Sequence, residues 1–429
     1  MKNTVQFPKR WTKKKLKYLF KQKSERGGNI NELLSVYRDY GVIPKSSRDD
    51  NNNRPSEDLS NYKRVHKNDL VLNKMKTWQG SLGISKYNGI VSPAYHVCQP
   101  IETNIGEYIH YLLRSSNYIN IYAKYSKGIR PNQWDLSIDD FLSFYIYTPP
   151  LPEQKQIAAF LDKKTTQIDT FIEKKQKMVE LLKEKRSAII NHAVTKGLNP
   201  DAKMKPSGID WLGDIPEGWE EVRAKSIISY FINGAWGENP QNNINDVLCV
   251  RVADFDYNKL SIKENASTLR NICDSLLSTR ILGENDLLIE KSGGGDNQPV
   301  GRVVKYDIEK VAVCSNFIGK ISVNSEKAIS NFIVYVFASI YQLKLNVRSI
   351  KQTTGIQNLD INSYFQERIP LPPLPEQKQI AAFLDKKTAQ IDKFVEMTNK
   401  QIELLKEYRT TLISDVVTGK VDVRDEVTA

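Results

Sequence analysis

The sequence predicts a mixed α/β chain in which two globular domains alternate with two long helices that pair as an antiparallel coiled coil, a pseudo-two-fold tandem repeat. Three observations carry this. The segment PPLPEQKQIAAFLDKKT stands at 149–165 and again, letter for letter, at 372–388, and the gapless match runs on to Thr195 and Thr418 with 32 of 47 positions identical. Beyond its Pro-rich opening each copy places apolar residues in steps of three and four, with no Gly or Pro before Gly197 and Gly419, as an amphipathic helix does. Upstream of each copy lie short strand-like runs that share an order but little sequence.

Residues 1–148 form the first globular domain in this reading. It opens on a P-x-x-W string at 8–11, carries NDLVL at 68–72, and holds 24 basic against 13 acidic residues, nearly all of the net +12 of the chain. Its loop 73–83 offers Lys74, Lys76, Trp78 and Gln79, and its loop 127–134 offers Arg130, Asn132 and Gln133. Such residues beside glycine suit DNA: Arg and Lys match guanine edges, Asn and Gln match adenine, and any cation meets phosphate.

Residues 149–197 are the first constant helical spacer. Its seam is Leu161, Thr165, Ile168, Ile172, Lys175, Val179, Leu182, Arg186, Ile189 and Ala193, and the second copy repeats it, with a Thr, a Lys or Thr, and an Arg interrupting at the same places. One exposed seam calls for a partner, and the other copy supplies it. At ~1.5 Å per residue the helix makes a spacer of roughly 42 to 64 Å. Asp162 and Asp385 sit where a cap would allow a break, so continuity there is open. Outward residues recur too: Lys155, Gln156, Lys163, Lys164, Gln167 and Asp169 return as Lys378, Gln379, Lys386, Lys387, Gln390 and Asp392, which points to one partner docking twice.

Residues 198–371 are a linker and the second globular domain, with P-x-x-W at 216–219, NDLLI at 285–289, strands near 247–255, 301–306 and 310–317, and a helix near 331–342. A pairing of the Gly-Ile and Asp-Leu steps at 128–136 with Gly-Ile and Asp-Ile at 355–361 extends the correspondence. The candidate readers here are Lys291, Asn297, Gln298 and Arg302, then Lys351, Thr353, Thr354 and Gln357. Three glycines at 293–295 read as a flexible loop, since no phosphate-cradle motif follows. This domain is near neutral, with 19 basic and 21 acidic residues. Residues 372–421 form the second spacer and 422–429 a tail.

Several function classes drop out. Cys98, Cys249, Cys273 and Cys314 stand far apart with no CxxC pair, and the four histidines show no ligand spacing, so neither a disulfide framework nor a metal site is signalled. The longest apolar run, 332–341, is about half of the ~20 residues a spanning helix needs, which leads us to expect a cytoplasmic protein without a membrane partner. No segment signals methyl transfer, nucleotide binding, nuclease chemistry or an activated nucleophile, so the chain reads as a binder with no cofactor of its own.

Two variable domains alternating with near-identical segments that open PPLPEQ and run through FLD and ELLKEKR resemble the specificity subunit of type I restriction-modification enzymes, and SGIDWLGDIPEGW at 207–219 is typical of that family. The first leader departs from the pattern, being reduced to FPKRW at 7–11. The resemblance implies that each globular domain is a target recognition domain reading half of a split site in double-stranded DNA. It implies that the helices set the unread spacing and that two methyltransferase subunits carrying S-adenosylmethionine dock on them. Restriction subunits using ATP and Mg would join the complex, and the chemistry would sit in those other chains. Two rival readings stand beside it: a coiled-coil scaffold with incidental charge, and a self-contained DNA-modifying enzyme.

Overall fold

The computed structural model describes residues 7–26, 32–48, 56, 58–102, 106–128, 134–295, 297–352 and 355–424. Contacts divide the chain into two units, Met1–Lys175 with Lys400–Ala429, and Gln176–Asn399. Each unit therefore takes one globular domain, the adjoining half of one long helix and half of the other.

Both long helices are continuous, Leu151–Lys196 and Leu374–Val417. Pro152 and Pro375 stand in the first turn, where a missing N–H costs nothing. Gly197 and Gly419 end the helices at φ +76° and +73°, a left-handed conformation that glycine adopts without strain. The open question at Asp162 and Asp385 closes in favour of unbroken helix, because neither carboxylate caps. Asp162 accepts the hydroxyl of Tyr111 at 2.5 Å, and Asp385 accepts that of Tyr335 at 2.8 Å.

In the first unit the start of the first helix and the end of the second share a core: Ile157, Phe160 and Leu161 pack with Val416, Val417, Tyr108 and Leu112. Val423, within the expected tail, is buried there as well. In the second unit Ile190, Ala193 and Val194 share a core with Ile380, Ala381 and Leu384 around the helix Ser330–Gln342. Within each unit the helix segments thus run antiparallel, as the seams predict.

The polar interruptions of the seam have partners. Arg409 Nε donates to Asp169 at 2.8 Å in the first unit, and Arg186 Nε donates to Asp392 at 3.0 Å in the second. Lys175 Nζ donates to Gln401 at 2.7 Å. Asp169 and Asp392, expected on the outward face, instead turn to the seam, because each meets the Arg of the opposite copy. Hydrogen-bonded ion pairs at fixed seam positions hold a register that apolar contacts alone would let slip.

Each domain is built on a four-stranded antiparallel sheet. In the first its order is Phe20–Lys23, Tyr95–Pro100, Leu70–Asn73, Leu82–Ile84; in the second it is Ile228–Asn233, Ile318–Val323, Leu287–Glu290, Val303–Lys305. The Asn-Asp strings enter equivalent strands. Asn68 and Asn285 turn the chain at φ 75° and 71°, which Asn tolerates better than other side chains. Asp69 and Asp286 then accept backbone N–H groups of His66 and Gly283 and pair with Lys23 and Lys320 of the same sheets.

The P-x-x-W strings also converge on one role. Trp11 Nε1 donates to Glu153 at 3.2 Å and Trp219 Nε1 to Glu376 at 2.9 Å, which ties each domain's leader to the first turn of a long helix. One expected correspondence shifts: the equivalent residues near 128–136 and 355–361 are the helix caps Ser137 and Asp360, because each accepts an N–H of the short helix it opens. Among the described residues no helix is long and apolar enough to cross a membrane, and no cluster of three or more His, Cys, Asp or Glu is placed to hold a metal.

Candidate nucleic-acid interface

The two candidate loops at 73–83 and 290–302 join equivalent strands of the two sheets, Leu70–Asn73 to Leu82–Ile84 and Leu287–Glu290 to Val303–Lys305. Both are hairpin connections at a sheet end, where side chains project beyond the rigid core. In the first, Lys76 is exposed, and Lys74 and Gln79 are half-exposed. Trp78 is occupied: its Nε1 donates to the Met75 carbonyl at 3.0 Å and its ring packs on Trp134 with centroids 4.7 Å apart. That contact brings the end of the second candidate loop beside the first. Arg130, Asn132 and Gln133 lie outside the described residues.

In the second domain Asn297 and Gln298 are exposed at the hairpin tip, and Gly295 and Gln298 pair across it. The glycines before them are structural. Gly293 and Gly294 have φ +115° and +59°, and a Cβ on Gly294 would stand 2.9 Å from the Gln298 carbonyl oxygen. Lys291 is half-buried, and burial lowers its pKa. Arg302 lies with its guanidinium over Tyr257 at 4.0 Å and Tyr341 at 4.9 Å, so its planar fork is held by rings rather than offered to a guanine.

Lys351 is exposed and pairs with Asp360 at 2.6 Å. Gln357 corrects the expectation of a surface reader. It is buried, its Oε1 accepts the Val300 N–H at 3.3 Å, and so it braces the hairpin instead of facing solvent. Thr353 and Thr354 lie outside the described residues.

Three features escaped the sequence reading. Glu290 ends the central strand with a buried carboxyl whose pKa burial pushes up to about 7. A basic strip, Lys13, Lys14, Lys15 and Lys17, runs along the first domain's opening strand and turn, with Lys13 over the Tyr145 ring at 4.3 Å. Large apolar side chains stand exposed on the long helices: Phe171, Leu404 and Tyr408 in the first unit, and Leu181, Phe394 and Met397 in the second. The recurrence of Phe171 as Phe394 and of Leu181 as Leu404 was the available signal, hidden because these positions lie off the seam.

The family described as type I restriction modification DNA specificity domain matches residues 8–181 and 216–406. The chain belongs to this family. Both matched stretches begin at a P-x-x-W string and end within a long helix, so the family unit is domain plus helix, present twice. The type I restriction enzyme MjaVIII specificity subunit of Methanocaldococcus jannaschii is 25% identical over 290 residues, 66% of this chain and 64% of that protein. The StySPI specificity subunit of Salmonella potsdam is 25% identical over 320 residues, 73% of this chain and 65% of that protein. These alignments thus span a little under two thirds of either relative.

Among solved structures, a chain from a type I R-M system studied for its complex assembly and conformational transition superposes with a TM-score of 0.70 at 16% identity, covering 97% of this chain and 100% of the other. The HsdS subunit from Thermoanaerobacter tengcongensis gives 0.55 at 17% identity, covering 98% and 99%. At such identities these likenesses establish the fold.

Proposed function

We propose that the chain is the non-catalytic DNA-reading subunit of a cytoplasmic type I restriction-modification complex. Each globular domain reads one half of a bipartite site in double-stranded DNA, and the long helices fix the number of unread base pairs between the halves. Two methyltransferase subunits, which bring S-adenosylmethionine, dock on the helices, and restriction subunits using ATP and Mg join them. The observation that carries this reading is the doubled unit: one sheet and one hairpin-loop position in each domain, tied by a Trp–Glu hydrogen bond to a helix whose partner segment comes from the other copy. Such a plan supports two readers of different surface on one constant frame.

Docking is supported by the exposed apolar residues of the helix segments, Phe171 with Leu404 and Tyr408, and Phe394 with Leu181 and Met397. Phe171, Leu404 and Tyr408 line one concave site, and contiguous apolar patches mark interaction surfaces. DNA contact is supported by the exposed Lys76, Asn297 and Gln298 and by the strip at Lys13–Lys17. Cations there would grip phosphate without reading sequence.

A four-residue insertion in the second long helix tests the ruler, since it adds about 6 Å. The complex with its methyltransferase partners should then methylate the same two half-sites at a changed spacing. An unchanged spacing overturns the ruler, and methylation without any sequence preference overturns the reading as a whole.

A further inference from the structure

We infer that Glu290 is a specificity-determining residue: from the wall of a cavity in the second domain its carboxylate accepts a hydrogen bond from the exocyclic amino group of a DNA base, adenine N6 or cytosine N4. This deepens the reading of the domain as a half-site reader and rests on it.

Glu290 has a fixed backbone and an idle side chain. Its N–H donates to the Arg302 carbonyl at 2.9 Å and its carbonyl accepts from Gly301 at 3.0 Å, which anchors it where the central strand passes into the hairpin loop. The residue is 6% exposed, yet among the described residues its carboxylate has neither a hydrogen bond nor an ion pair. The carboxylate borders open cavities that admit water, and a ligand amine entering there would replace that water as its hydrogen-bond donor. Arg302, whose charge acts on this carboxyl, is held over Tyr257 and Tyr341 and makes no ion pair with it.

The side chain borders two adjoining cavities of about 480 and 550 Å³, which also share Val252 and Gly294. One is mainly apolar and carries Trp236 and Phe317, both substantially exposed; the other is rimmed by Asn297 and Gln298. Arg270 covers one face of Trp236 at 4.6 Å, which stiffens that wall. Flat apolar walls with one buried acceptor and amide donors at the rim fit a base that presents an amino group. Adenine offers N6 beside N7 and cytosine offers N4 alone, whereas the O6 and N7 of guanine and the O4 of thymine would face the carboxylate with lone pairs.

The raised pKa of the carboxyl agrees with this chemistry, since burial favours the neutral form, Arg302 opposes it, and an amino donor would restore the charge. Arg251, tied to Asp254, and Tyr257 are the other ionisable groups lining the cavities.

The test uses the complex reconstituted with its methyltransferase partners. Its site is read by sequencing methylated bases, and binding is then measured by competition with duplexes altered at each position. E290A should relax one A·T or C·G position in a single half-site by about 5- to 100-fold and leave the rest unchanged. Purine in place of adenine, or 2-pyrimidinone in place of cytosine, should weaken the wild type by the same factor and E290A hardly at all, and the base that responds identifies which amine is read. Wild-type discrimination at that position should rise between pH 6 and pH 8, and E290Q should abolish that rise while keeping the preference. If E290A melts like the wild type and keeps discrimination at every position, the inference is overturned. Should E290A fail to assemble, persistence of the pH dependence in E290Q overturns it equally. A wild-type complex with no sequence preference would overturn the half-site reading itself.

Discussion

The loop after Asn73 and the loop after Glu290 leave equivalent strands of equivalent sheets, yet they are filled by opposite means. The first is closed by its neighbours: Trp78 packs on Trp134, and Gly80 turns at φ +91° under Ile119. The second stays open, with Gly293 and Gly294 bending the backbone around cavities that Glu290 borders. Charge follows the same division, with a strongly basic first domain and a near-neutral second. The frame is held constant by the Asn-Asp turns and the Trp–Glu ties, so the loops are free to differ. Under the proposed function, grip on phosphate would fall mainly to the first half and discrimination between bases mainly to the second.

A second contrast lies in the helix crossings. Arg186 and Asp392 are 11% and 29% exposed, against 29% and 49% for Arg409 and Asp169. Breaking the better-buried pair should have the largest effect: R186A leaves Asp392 half-buried and unpaired, already with a pKa raised by burial, at a cost of roughly 2–4 kcal/mol in chemical denaturation. R409A should cost about 0.5–1 kcal/mol, because water screens that pair. Equal costs would remove the distinction between the crossings.

Between these falls the titration of Glu290. Its folded pKa of about 7 lies above the ordinary 4.5, so between these values the folded state keeps a proton that the unfolded state has lost. Stability therefore falls as pH rises from 4.5 to 7, and below 4.5 the residue contributes nothing. At pH 8 E290Q should be more stable than the wild type by roughly 2 kcal/mol, less than the full shift implies because the cavities admit water, and the gain should vanish at pH 4. A pH-independent difference would contradict the burial argument.

The smallest effect belongs to the phosphate grip. K76A should lower affinity for all duplexes alike, by a few-fold at moderate salt, and reduce the salt slope by about 1. A change confined to one base position would make Lys76 a base reader instead.

Much of the frame was legible because helices report themselves locally. Pro152, the three-four period and Gly197 marked the ends of one long helix while leaving a break near Asp162 open, and the repeat told that the two copies pair along their seams. Strand order was less legible: Phe20–Lys23 joins its sheet through Tyr95–Pro100, a partner fixed by long-range packing that no local pattern announces. The hairpin loops after Asn73 and Glu290 lie between strands as their position suggested, whereas Lys351 and Gln357 fall in the short strands Ile350–Gln352 and Gln357–Leu359, and residue type misled within the loops. Gln357 has the chemistry of an adenine reader and spends it on a backbone N–H, while Arg302 has that of a guanine reader and stacks between tyrosines. Glu290 was passed over because an acidic side chain next to a presumed DNA contact looks wrong until its burial and its cavities are seen.

The account stands most directly on one measurement, sequencing the methylated bases in DNA exposed to the reconstituted complex after residues 216–371 are exchanged for the matching domain of another member of the family. The account predicts that one half of the recognised site changes while the other half and the spacing between them stay as in the wild type. Change in both halves, or in neither, would contradict the assignment of one half-site to each domain.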